Sequence, residues 1–512
     1  MLDKRKFLKL AGCLSLSNFI GYSSFSNSKS GGYLRLGLDG ANSFDNFDSR
    51  KNFNDFMIVA GPGCIFETLT EITPDGKLHG ELARDWESSK NARVWTFNLR
   101  KEVFFHNGER FDADDVIGSL AIHKRNNPSS SSQLIISSIK EINKISSHQI
   151  QFILESGNAD LPYLLANPQF IIYPKNNIEV SMKEGIGTGP YKLKIFEPGK
   201  KLLADNISDH HFSDRGWFKG IEAHAMNNPI ARVNAIRSDL VDTISSVPAV
   251  FEKLLSSRSN IKVVHTPSNS HVCFPMRTDK EPFRDNNVRN ALKLACNRQK
   301  IIDLVLYKQA TIGNDHPISP GNFYSSGDIN QIKYDPDKAS FYLKKSNKSK
   351  IEVSLSCSEA AFPGAIQAAY IYKHYAEPAG INIIVNKENP DLYWETIPFT
   401  KDWYTSYSSG FPTADWTFSS QFQYGVKNNE TKWNNKLFNK LLIKARKELD
   451  FSTRKNIYEE MQEICAAQGG TIIPAFYNYV NAYSNKLSHS RAMSNEYNLD
   501  DGKICKRWWF NN

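Results

Sequence analysis

The 512-residue chain lacks the short patterns that announce an enzyme. It has no GxSxG elbow, no P-loop, no GxGxxG and no HExxH. That leaves no nucleophile–base–oxyanion set, so a hydrolase is only a distant alternative, and no cofactor is expected. Cysteine is sparse. Cys13, Cys64, Cys273, Cys296, Cys357, Cys465 and Cys505 form no CxxC and no zinc spacing. Cys64, Cys296 and Cys465 lie in apolar surroundings, where a buried free thiol is the default; any pairing in an exported protein is open at this level. The formal charge is +9, yet the lysines are dispersed, with no basic block. The charge serves solubility and weak attraction to an anionic surface, and no nucleic-acid partner is expected. No internal repeat is evident. Past the N-terminal segment, no apolar run is long enough to span a bilayer.

What is present is globular: 40% hydrophobic and 23% charged, over a length that accommodates two or three domains. Nine Trp, 21 Tyr and 31 Phe suit pockets that hold organic ligands, although large cores also consume aromatics. Residues 1–30 have the layout of a signal peptide: a basic start at Met1 to Lys6, a moderately apolar run from Phe7 to Phe25, then small residues. Lys4-Arg5-Lys6-Phe7-Leu8-Lys9 resembles a twin-arginine export motif with Lys4 in place of the first arginine. Leu10-Ala11-Gly12-Cys13 resembles a lipobox, but almost no apolar run precedes it, so Cys13 is not expected to carry lipid.

Local patterns predict scaffold elements. Val94, Thr96 and Asn98 alternate with Trp95, Phe97 and Leu99, as a half-buried strand requires. Asp112 can cap a helix beginning at Ala113, with Asp114 and Asp115 in the first turn. Asp75-Gly76 predicts a hairpin. Ser129 to Ser132 reads as a loop. Asp335 caps and Pro336 opens another helix. Two helices are expected between Trp433 and Ala467, the second capped near Ser452 or Thr453 and stopped by Gly469-Gly470. His210-His211 sits on a polar loop where adjacent side chains should diverge, so a solvated pair is expected rather than a metal site.

Read together, these stretches carry a resemblance. Leu82-Ala83-Arg84-Asp85-Trp86, Trp95-Thr96-Phe97-Asn98-Leu99-Arg100, Phe105-His106-Asn107-Gly108 and Ala113 with Asp115, Val116 and Ser119 run in order. Gly187-Thr188-Gly189-Pro190-Tyr191 and Val288-Arg289 with Ala291, Ala295, Asn297 and Arg298 continue it. The series resembles the family 5 solute-binding proteins of ABC importers, the dipeptide, oligopeptide and nickel binders. That resemblance implies an α/β, two-lobe, hinge-connected periplasmic binding protein of type II-like architecture, with an extra subdomain in the first lobe. Lobe 1 would comprise residues 31–268 and 488–512, with the subdomain at about 76–180; lobe 2 would comprise 269–487. It also implies a monomer that captures a small peptide or peptide-like solute and delivers it to a permease and ATPase complex at the inner membrane. A nickel or metal-chelate carrier on the same scaffold is the alternative.

In the peptide binders of this family an aspartate just after a tryptophan in the second lobe holds the ligand's α-amino group. The matching run here is Trp403 to Trp416, and its only acid is Asp415, displaced by about one turn from the usual place. Asp415 is therefore a candidate amine anchor, or equally a helix cap. Trp394, Trp403, Phe411 and Trp416 are candidate walls of the cleft, with core packing the competing role for each.

Overall fold

The computed structural model describes residues 31–51, 53–89, 91–124 and 131–511. The expected signal peptide and Cys13 lie outside them.

A nine-stranded sheet organises the chain. Its order is Ser406–Ser408, Ile261–Pro275, Thr471–Ser484, Thr243–Ile244, Tyr33–Leu38, Gly220–Ala225, Lys201–Asn206 and Tyr191–Glu197, with Ala310–Ile312 also on Thr471–Ser484. Tyr33–Leu38 is parallel to both its neighbours. It buries Leu34, Leu36 and Leu38 in the first-lobe core with Phe47, Phe66 and Tyr191. Such burial is what a parallel interior strand requires. Asp242, after the helix Pro229–Arg237, accepts from the Arg35 guanidinium at 2.8 Å and so fastens the helix–strand crossover to the first strand.

Two long strands carry the chain between the lobes. Ile261–Pro275 and Thr471–Ser484 pair antiparallel from Ile261 opposite Ser484 to Pro275 opposite Thr471. Their register breaks between Pro267 and His271 and again between Val272 and Phe274. The first break lies at Pro267, where the crossing was expected. A proline cannot donate to the ladder, which accounts for the broken register there.

The first-lobe subdomain is a four-stranded antiparallel sheet in the order Ala83–Ser88, Val94–Leu99, Gln149–Leu154, Ile139–Ser146. Trp95, Phe97 and Leu99 point inward with Ile150, Phe152 and Leu154. Asp112 forms a capping box at the helix Ala113–Ala121, in which the Asp112 amide also donates to Asp115 at 2.7 Å. Part of the serine run differs from expectation. Ser131 and Ser132 open a short helix, Ser131–Ser137, while Ser129 and Ser130 lie outside the described residues.

In the second lobe, the helix Ala365–Ala376 packs on the parallel pair Ile351–Cys357 and Ile381–Lys387, and Asn286–Ala295 packs on that helix and on Pro336–Lys345. Val288, Ala291, Leu292 and Ala295 all face that core, as their spacing requires. The predicted helix pair is Lys436–Lys447 and Phe451–Gln468. Its second member is capped by Asp450, not by Ser452 or Thr453; the Asp450 carboxylate accepts from the Thr453 amide at 2.8 Å. The C-terminus returns to the first lobe, where Ile504, Cys505 and Trp508 enter the core. The six described cysteines are all free and buried.

Candidate functional site

A cavity of about 300 Å3 lies where the first-lobe hairpin, the second lobe and the C-terminal segment meet. Thr70–Ile72 pairs with Leu78–Gly80 and presents the turn Thr73 to Gly76. Asn269, Phe323 and Pro412 face it from the second lobe, and Glu496 and Asp501 from the C-terminal segment. A narrower recess continues past Glu71, Tyr163 and Tyr497. The lobes touch beside it. Tyr163 stacks on Phe323 with ring centroids 4.9 Å apart, and the Ala159 amide donates to the Arg446 carbonyl at 2.7 Å.

The backbone that presents the acids is unusual. Leu499, Asp500, Asp501 and Gly502 are consecutively left-handed, with φ of 54°, 61°, 58° and 69°. Each non-glycine residue in that region costs about 1–2 kcal/mol. The reversal turns Asp501 back to accept from the amides of Glu496 and Tyr497, at 2.8 and 2.9 Å. Asp500 accepts from the Ser494 amide at 2.8 Å and from Arg507 at 3.1 Å. The loop is thereby locked with Glu496 against the cavity.

The acids there are not equivalent. Burial alone would raise Glu71, but Arg507 and Arg215 at 2.5 and 2.8 Å outweigh it and hold the carboxylate well below its ordinary range. Burial, then the Asp501 charge, pushes Glu496 up to about 8. Its one opposing contact is Asn269, whose amide donates to Oε2 at 2.8 Å. Asp501 is pushed up to about 6 by burial, against the pull of Arg507. An acid that retains its proton near neutrality inside a cavity is poised to ionise when a cation arrives.

The five residues singled out in the sequence go to different places. Trp403 takes the core-packing role: it is buried in the second-lobe core against Phe283 and Tyr372. Trp394 is half exposed, donates Nε1 to the Ala360 carbonyl at 3.1 Å, and lines a separate cavity of about 270 Å3 with Tyr407 and Glu430. Phe411 and Trp416 stack at 5.1 Å and pack against the first-lobe subdomain core, so they lie at the contact between lobes. Asp415 sits in the first turn of the helix Ala414–Gln421, whose cap is Thr413. Its carboxylate takes Arg446 Nε at 3.0 and 3.1 Å, and burial pushes it up to about 6. Asp415 is thus neither the cap nor among the residues lining the interlobe cavity.

Glu496 and Asp501 were missed because no spacing rule marks an acid delivered by a left-handed loop near the chain end. His210-His211 is a further correction. The two imidazoles do not diverge into solvent. Both Nε2 atoms turn to the buried Glu67, at 3.3 and 3.4 Å from Oε1 and Oε2. Adjacent side chains alternate in a strand, but this pair lies in the irregular segment after Lys201–Asn206, where that rule does not hold.

Comparison with known proteins places these features. Residues 77–430 match the family model described as bacterial extracellular solute-binding proteins, family 5 Middle. The nickel-binding periplasmic protein of Escherichia coli (strain K12) is 27% identical over 55% of this chain, and the match spans about half of that relative, 55% of its length. The dipeptide-binding protein of the same organism is 24% identical over 79% of this chain and 81% of its own. Among solved structures, the ABC transporter-associated periplasmic binding protein DppA of Helicobacter pylori, in complex with the peptide STSA, superposes with a TM-score of 0.70. It is 19% identical, covering 95% of this chain and 99% of that one, and supports the shared fold.

Proposed function

Because this chain belongs to the family 5 bacterial extracellular solute-binding proteins, we propose that it captures a small peptide or peptide-like solute with a cationic group and delivers it to an ABC importer. The observation that carries this reading is the interlobe cavity with the Glu496 carboxyl at its wall. A ligand ammonium leaving water requires a carboxylate, since an unpaired buried charge is very costly. Glu496 has a single hydrogen-bond donor among the described residues, Asn269, and an ammonium supplies the rest.

The mechanism is closure about the strands Ile261–Pro275 and Thr471–Ser484. Ligand contacts from both lobes exist together only when the lobes meet, so binding shifts the population to the closed form. Phe411 and Trp416 form the apolar flank of that closure. Asp415 supports the flank from behind by holding Arg446. Residues 1–30 direct the chain to the periplasm, where it acts as a monomer. No imidazole is among the residues lining the interlobe cavity, which favours a peptide there over a nickel chelate.

The test is native mass spectrometry of protein purified from periplasm, followed by thermal melts with a peptide library and with nickel–histidine complexes. A peptide that raises the melting temperature and loses affinity in Glu496→Gln supports the reading. Stabilisation by nickel complexes alone overturns it.

A further inference from the structure

We propose that Glu67, His210 and His211 form a binding site for a divalent first-row transition ion, Zn2+ or Ni2+ in class, inside the first lobe and apart from the solute cavity. Their ligand atoms lie within 4.8 Å of one another.

The geometry suits an ion better than hydrogen bonds. The Glu67 side chain is fully buried, and those of His210 and His211 keep only 5% and 8% of their surface. Yet among the described residues neither Glu67 oxygen, nor Nε2 of either histidine, has a hydrogen-bond partner outside this trio, and within it the contacts are long. Such atoms are expensive to bury unsatisfied. The two Nε2–oxygen separations are 3.3 and 3.4 Å. Ligands at about 2.0–2.1 Å from a tetrahedral ion stand about 3.3–3.4 Å apart, the spacing each imidazole has to the Glu67 oxygen it faces, His210 to Oε1 and His211 to Oε2.

The surroundings fit as well. His210 Nδ1 lies 3.4 Å from the Phe212 carbonyl oxygen and 3.3 Å from the Phe212 amide, which donates to it in the tautomer with the proton on Nε2; an ion at Nε2 requires the other tautomer, with Nδ1–H turned to the carbonyl. Nearby cations have other partners. Lys506 donates to Glu81 and to the Phe66 carbonyl, at 2.8 and 2.9 Å. Arg215 donates to Glu71 at 2.8 Å, and Arg100 to the Glu81 carbonyl at 2.7 Å. Glu67 therefore faces the imidazoles alone. A cavity of about 440 Å3, lined by Thr188, Asp209, His210 and His211, gives an ion a way in and room for a water as fourth ligand. Two imidazoles and one carboxylate select a borderline transition ion over Ca2+ or Mg2+. The ion would tie the segment after Ile65 to the loop after Asn206.

The test uses the tag-free, metal-stripped full chain in equilibrium dialysis against Zn2+, Ni2+ and Ca2+. One equivalent of Zn2+ or Ni2+ and no saturable Ca2+ is expected, with at least a tenfold loss of affinity in His211→Gln and in His210→Gln. Melts in chelator report whether the variants fold. X-ray absorption of Zn2+-loaded wild type decides independently, since it must show scattering from two imidazoles. No saturable Zn2+ or Ni2+, equal binding by folded variants, or a spectrum without imidazole overturns the site. Glu496→Gln should leave metal binding unchanged, which keeps this outcome separate from that of the solute cavity.

Discussion

Replacing Glu496 with Gln should separate binding from protonation in a measurable way. With Glu496 raised to about 8, the carboxyl of the free protein is about 90% protonated at pH 7. A peptide ammonium entering the cavity pairs only with the ionised form. Binding at pH 7 should therefore release close to one proton, and the release should fade above pH 9. A charge-assisted pair of this kind is worth about 2–5 kcal/mol when one partner is removed. Deprotonating the acid at pH 7 first costs about 1.4 kcal/mol, one pH unit below a value of about 8. The net loss of affinity in Glu496→Gln should thus be about 0.6–3.6 kcal/mol, roughly 3- to 400-fold.

Calorimetry in buffers of different ionisation heat counts the proton directly. Without ligand the linkage runs the other way. The folded carboxyl is raised from 4.5 to about 8, so between those values the folded state holds a proton that the unfolded chain has lost. Stability should fall as pH rises through that window and level off above it, by at most about 1.4 kcal/mol per unit. The accessible edge of Glu496 on the cavity reduces that limit. The Gln variant should have the flatter profile. Equal proton release and equal affinity in the two proteins, with a cationic peptide bound, would refute the role of Glu496.

Other outcomes follow from single contacts. A Cβ at Gly187 would stand 2.3 Å from the Ile65 carbonyl oxygen, so Gly187→Ala should cost about 1–3 kcal/mol in chemical unfolding. Asp112→Ala removes the capping box and should cost about 1 kcal/mol by the same assay. Asp415→Ala leaves Arg446 without its carboxylate. The loss should be about 1–3 kcal/mol, less than for a fully buried pair because Arg446 keeps 22% of its side chain in water, with peptide affinity within twofold. The six described thiols should resist a water-soluble thiol reagent in the folded protein and react on unfolding, as counted by absorbance.

How much of this was legible in the sequence depends on how local the cause is. The capping box at Asp112, the hairpin at Asp75-Gly76 and the core face of the helix Asn286–Ala295 were all visible, because each is set within a few residues. The candidate site was much less so. Trp403 and Asp415 stand in one run with Phe411 and Trp416, and sequence alone gives no depth. Folding sends Trp403 into the second-lobe core, Asp415 to Arg446 from the helix Lys436–Lys447, and Phe411 and Trp416 to the first-lobe subdomain.

The acids and imidazoles of greatest consequence are joined over distances that no window captures. Glu496 meets Asn269 across 227 positions, and Glu71 meets Arg507 across 436. Glu67 meets His210 only because the segment after the π-turn Gly61–Ile65 passes beneath the loop after Lys201–Asn206. Adjacent histidines signal divergence only within a regular strand, and this pair lies outside one. The general consequence for this chain is physical. Its scaffold is written in short-range patterns that survive at about 20% identity, whereas its ionisable groups acquire their chemistry from burial and from partners hundreds of residues away. Glu496 and Glu71 illustrate the point: they are the same residue type at the same cavity, one holding its proton near neutrality beside Asp501 and one ionised beside Arg507 and Arg215.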